Sequence, residues 1–160
     1  TIKFKPDISL HAKNPTKLEH TVLDENALPT YILYDDEFIN VNRILSTKED
    51  YDNYVELLIA SRKAEEHPEF LKELENFLKD KYTEEFFETS ALLVTKRIIG
   101  STSVDNVYLS EDNKVYVVIR TSSMGKTSGY MTIPELSENT IHIAVSKDAI
   151  KGATELITLN

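Results

Sequence analysis

The spacing of apolar residues changes character near the middle of the chain. Between residues 46 and 88 they recur every three to four positions, and beyond residue 91 they mostly alternate or run together. The spacing therefore predicts helices first and strands afterwards, joined through the stretch from Tyr82 to Thr95. There Phe86 and Phe87 point in different directions, so one can plug a helical layer while the other caps a sheet.

Ile2 and Phe4 alternate with lysines and allow a short strand, but Pro6 and Pro15 interrupt every period that follows. Residues 1–30 thus read as an N-terminal extension or arm, and residues 31–160 as a single α+β domain. Tyr31 to Tyr34 predicts a short strand, the acidic turn Asp35-Asp36-Glu37 follows, and Phe38 to Ile44 predicts a second strand. Ser46-Thr47-Lys48-Glu49 reads as a capping box opening a helix with Tyr51, Tyr54, Val55, Leu58 and Ile59 on one stripe. That helix fades at Ala64-Glu65-Glu66. A second starts at Pro68, with Phe70, Leu71, Leu74, Phe77 and Leu78 apolar. Thr83 with Glu84, Glu85 and Glu88 marks another helical start, where carboxylates suit the positive end of the helix dipole.

Ala91 to Ile99 reads as a strand buried on both faces, ended by the turn Gly100-Ser101-Thr102-Ser103. Val107 to Leu109 and Lys114 to Thr121 predict an antiparallel hairpin around Ser110-Glu111-Asp112-Asn113. Ile141, Ile143 and Val145 alternate with Thr140, His142 and Ala144, and Ala153 to Leu159 suggests a last strand. The fold class expected is α+β: one antiparallel sheet with two amphipathic helices packed on one face. Leu58, Leu74, Phe77, Leu93, Val117 and Ile143 are expected in its core.

Charge narrows the partners. Twenty-seven acidic against 18 basic residues give a net charge of −9, with no basic stripe to displace counterions from a nucleic acid. The same balance disfavours adhesion to an anionic membrane, and no apolar run is long enough to span one. With no cysteine, disulfides, thiolate metal sites and a cysteine nucleophile are all excluded. The chain begins at Thr1, which reads as the product of processing or trimming, with any signal peptide already removed.

Candidate chemistry is sparse. His11, His20, His67 and His142 lack the i, i+4 spacing of a zinc helix, and Asp35-Asp36-Glu37 lacks the spaced ligands and glycine of a calcium loop, so neither metal nor cofactor is expected. His142 falls on the polar face of its strand and reads as a surface histidine. Gly125-Lys126-Thr127 resembles the end of a phosphate loop, but Arg120 stands where the first glycine belongs, and no Gly-x-Ser-x-Gly elbow is present. The loop Met124, Gly125, Lys126, Thr127, Ser128, Gly129 and Tyr130 is glycine-hinged and mixes an apolar, a cationic and an aromatic side chain. It reads either as a recognition loop anchored by Tyr130 or as a plain hairpin connection.

The block Tyr82-Thr83-Glu84-Glu85-Phe86-Phe87-Glu88, the strand Ala91-Leu92-Leu93-Val94 and the turn Gly100-Ser101-Thr102-Ser103 together resemble a pattern in small secreted or lipid-anchored proteins of low-GC Gram-positive bacteria. The segment from Gly125 to Tyr130 is weakly similar to the Gly-Gly-Tyr segment of the C-terminal domain of the protease-complex subunit PrcB, with Ser128-Gly129 replacing the paired glycines. The resemblance covers about residues 38 to 146, and its motifs are structural rather than catalytic. It implies an extracellular or envelope-anchored bacterial protein.

The function expected is a non-catalytic binding module of a bacterial cell-surface or secreted protein, recognising another protein at the envelope. The alternative is a small extracellular hydrolase built around His142 and the hydroxyls of Ser122, Ser123, Thr127 and Ser128. A histidine, a hydroxyl and a carboxylate meeting in one cleft would favour the alternative, and a flat or grooved sheet face the binding module.

Overall fold

In the computed structural model, residues 3–25, 27, 42–61, 68–98, 102–122 and 138–160 are described. The expected strands at 31–34 and 38–41 and the loop 123–130 lie outside these residues.

The strands are β1 (Lys3–Phe4), β2 (Thr16–Leu18), β3 (His20–Asp24), β4 (Arg43–Leu45), β5 (Ser90–Ile98), β6 (Thr102–Leu109), β7 (Lys114–Ser122), β8 (Glu138–Ser146) and β9 (Glu155–Leu159). The helices are α1 (Lys48–Ser61), α2 (Pro68–Leu78) and the short α3 (Glu84–Thr89). One sheet has the order β1-β7-β6-β2, with β9 also on β7, and the other runs β3-β8-β5-β4. The fold is thus mixed α and β and mostly sheet, and the single sheet expected from the sequence is corrected to two.

The two sheets exist because β5 and β8 on one side and β6 and β7 on the other each turn an apolar row inward. Ala91, Leu93, Ile141, Ile143 and Val145 meet Val107, Val115, Val117 and Ile119 in one buried cluster between the sheets. The opposite row of β5, Leu92 and Val94, packs under the helices with Tyr51, Tyr54, Leu58, Leu74 and Leu78. So β5 is buried on both faces, as its unbroken apolar run requires. The layers are therefore the helices, then the β3-β8-β5-β4 sheet (the first sheet), then the β1-β7-β6-β2 sheet (the second).

The segment between β1 and β2 forms a fourth, thin layer, while those two strands belong to the sheet beneath it. β1 pairs with the end of β7, and β2 pairs with β6 on the far side of that hairpin. Between them a single 3-10 turn (Ile8–Leu10) crosses the outer face of the second sheet. There the Tyr116 hydroxyl donates to the His11 carbonyl, and Glu111 N–H donates to the Lys13 carbonyl at 2.7 Å. Tyr116 and Val118, which point away from the inter-sheet core, are buried.

Three local expectations shift. The cap of α1 is Thr47 rather than Ser46: its hydroxyl accepts from Asp50 N–H at 3.0 Å, and the Asp50 carboxylate accepts from Ser46 N–H at 3.2 Å. A box one residue later lets the stripe of Tyr51, Tyr54, Val55 and Leu58 face the sheet. Phe77, expected in the core, is 44% exposed, because Leu74 and Leu78 fill the inward positions of α2; the Lys81 ammonium lies 4.5 Å from the centre of its ring. Finally, β9 runs parallel to β7, from Lys114 opposite Glu155 to Val118 opposite Leu159, the single parallel pairing among the described strands.

Candidate functional site

Two places gather polar side chains with something to offer. The first is a groove at the corner where the chain leaves one sheet for the other. Leu18 closes β2, Glu19 bridges, and His20 opens β3 opposite Val145. β8 extends one residue further, to Ser146 opposite Ser90, so the sheet edge steps back and leaves an open groove of about 810 Å³.

Leu18 and Val145 supply its apolar floor, and Glu19, His20, Ser90 and Asn106 are among its polar walls. The His20 Nδ1 lies 3.3 Å from the Leu18 carbonyl. A carbonyl can only accept, so Nδ1 carries the proton of that bond and Nε2 is left as the acceptor of the neutral ring. His20 shares the inward row of the corner with Leu18 and Val22, which are packed against the core. The period-two spacing of 18, 20 and 22 was the signal for this corner, and the prolines before it hid the strands from the sequence reading.

The second place surrounds His142, and it corrects the surface histidine expected above. His142 is 0% exposed. It alternates with Ile141 and Ile143, so it points to the helical side of its sheet, where Tyr82 of the turn before α3 meets it. The Tyr82 hydroxyl lies 2.8 Å from Nδ1, and the two rings are 5.4 Å apart. Tyr82 also makes edge-on contact with Tyr51 at 5.3 Å and a tilted one with Phe86 at 5.1 Å. Nε2 is buried with no partner among the described residues, so in either neutral tautomer the ring holds an unused donor or acceptor.

Burial pushes the His142 pKa down to about 3; the Lys81 ammonium adds to that shift and the Asp24 carboxylate opposes it. Asp24 and Lys81 form an ion pair of 2.6 Å beside the ring. Burial likewise raises the Tyr82 and Tyr51 hydroxyls well above their ordinary range, so at neutral pH the cluster is uncharged apart from that pair.

The other sequence candidates do not join these two places among the described residues. Met124, Gly125, Lys126, Thr127, Ser128, Gly129 and Tyr130 lie outside the described residues, as does His67. His11 is exposed on the arm. Glu84, Glu85 and Glu88 stand on α3, where the Thr83 hydroxyl accepts from Phe86 N–H, in keeping with a helix-start role. Among the described residues no three carboxylate or histidine side chains converge as metal ligands, and no helix is long and apolar enough to cross a membrane.

No family model matches the chain, no curated protein is significantly similar to it in sequence, and no solved structure is significantly similar to it in fold.

Proposed function

We propose that the chain is a non-catalytic binding module that recognises another protein, and that the corner groove is its contact surface. The observation that carries this reading is the groove itself: open, about 810 Å³, with an apolar floor and polar walls held on two sheets. Such a surface can exclude water at its centre and orient a partner at its rim. The hydrolase reading loses support, because the histidine it needs is sealed and bonded to a phenol rather than to a serine. The bacterial cell envelope remains the proposed setting, resting on the resemblance of the block from Tyr82 to Val94. The loop from Met124 to Tyr130 is kept as a second proposed contact.

The experiment is capture from a Gram-positive envelope extract, identification of the bound protein, and titration of that purified protein against variants. Ser146→Arg fills the groove from an exposed position, and Lys126→Ala with Tyr130→Ala strips the loop. A loss of about tenfold or more in affinity for the groove variant, with an unchanged melting temperature, is the expected result. Undiminished binding by both variants would overturn the reading.

A further inference from the structure

The cluster around His142 ties together parts of the fold that differ in how firmly they are held. β8 is secured to β5 by nine consecutive residue pairs. β3 is secured by four pairs to β8, broken by an irregularity between Val22 and Asp24. The turn between α2 and α3 passes through Asp80 at φ 57°, a left-handed setting that aspartate tolerates better than most side chains. Asp24 of β3 is the register partner of His142, and its carboxylate holds Lys81 of the turn. The imidazole, the carboxylate and the ammonium thus meet where the edge strand β3 passes the turn between α2 and α3.

We propose that His142, Asp24 and Lys81 form an acid-sensitive latch, in which protonation of His142 releases β3 from the turn at 79–83 while the rest of the fold stays closed.

The groups facing the ring are known from each described element packed on it. β3 contributes Asp24, the turn contributes Lys81 and Tyr82, and α1 contributes Tyr51 behind Tyr82. β5 presents apolar Val94 as register partner, and α3 contributes apolar Phe86 through its contact with Tyr82. One carboxylate is therefore available to two cations once the ring is charged. If Asp24 turns to the imidazolium, Lys81 loses its ion pair; if it stays with Lys81, the charged ring is buried without that carboxylate. Either outcome is relieved by parting the strand from the turn and letting water reach the ring. Once open, the ring titrates near its ordinary value of about 6.5, so opening takes up a proton at any pH well below that. Local opening is expected here because β3 is an edge strand, held on one side by four pairs that an irregularity interrupts beside Asp24.

The latch stands independently of the binding reading, since it concerns only the chain's own segments. The two are nonetheless connected in space: the strand that the latch would free begins at His20, a wall of the groove.

Amide hydrogen exchange of the intact chain, corrected for the intrinsic pH dependence of exchange, tests it directly. Between pH 6.5 and 4.5 the opening constant of peptides spanning 20–25 and 79–83 should rise about fiftyfold, while 114–120 stays protected. His142→Gln, which keeps a neutral polar group, should flatten that rise to within about threefold. A His142→Gln profile parallel to wild type overturns the latch, and so does opening of 114–120 in step with 20–25. Should the variant not fold, wild type alone decides: the logarithm of the opening constant should approach one decade per pH unit between pH 6 and 4.5, and a flat line overturns the proposal.

Discussion

The hydroxyl of Tyr51, in the first turn of α1, donates to the carbonyl of Leu78, the last residue of α2, across 27 positions of sequence. A helix ends with carbonyls that no residue of its own can satisfy, and here a phenol from the neighbouring helix satisfies one of them. Both residues are fully buried. The bond therefore fixes where α2 stops relative to where α1 starts. Tyr51→Phe keeps the ring and leaves the carbonyl with the Lys81 N–H alone, at 3.2 Å, and should cost about 0.5–1.5 kcal/mol in urea denaturation. A loss below a few tenths of a kcal/mol would mean that the Lys81 N–H satisfies the carbonyl by itself.

Two residues three positions apart in α2 should behave very differently. Leu74→Ala opens a cavity in the helical core and should cost about 2–5 kcal/mol. Phe77→Ala removes a half-exposed ring and its contact with Lys81, for a loss of about 1 kcal/mol or less. Equal losses in chemical denaturation would show that Phe77 is packed after all.

Asp105 lies in the irregularity between Val104 and Asn106, with its side chain 5% exposed. Burial would raise its pKa, but hydrogen bonds from Lys5, Arg120 and Asn106 outweigh burial and hold it below the ordinary carboxylate value. A depressed carboxylate stabilises the fold fully above its unfolded pKa of about 4 and loses that contribution as pH falls through the folded value. Stability measured from pH 5 down to pH 2 should therefore fall less steeply for Asp105→Asn than for wild type. Identical slopes would remove Asp105 from the acid response.

The same carboxylate anchors the arm through Lys5 at 3.2 Å. Deleting residues 1–14 uncovers Tyr116 and Val118 and removes β1 from β7. The truncated chain should melt several degrees lower and bind a hydrophobic dye more strongly than the intact chain. Coincident melts would show that the second sheet stands without its cover.

Legibility followed local pattern. The run from Ala91 to Val94 has no polar break, so burial on both faces was readable, and the alternation of Val115, Val117 and Ile119 marked the β6–β7 hairpin. Pairing between distant elements was not readable, since alternation shows that a strand has one apolar face without naming what covers it; hence one sheet was expected and two are present. His142 shows the same limit. Its place between Ile141 and Ile143 put it on the less apolar face, and only the fold shows that helices cover that face and that Tyr82 meets the ring. Phe77 sits at the margin of a stripe whose centre is Leu74 and Leu78, where periodicity alone does not separate half-buried from buried. Of the groove, the sequence marks His20 only as a histidine in a region without period.

β7 receives its edge neighbours from opposite ends of the chain: β9 along Lys114 to Val118, and β1 at Thr121 and Ser122. A ribosome releases these two partners more than 150 residues apart, so the second sheet stands incomplete until residue 159 has emerged. Until then β7 has unpaired amides and carbonyls along one side, open to any extended segment nearby. A nascent chain of this topology acquires its last strand only after synthesis has passed it, and a chaperone that shields exposed strand edges would matter most in that interval.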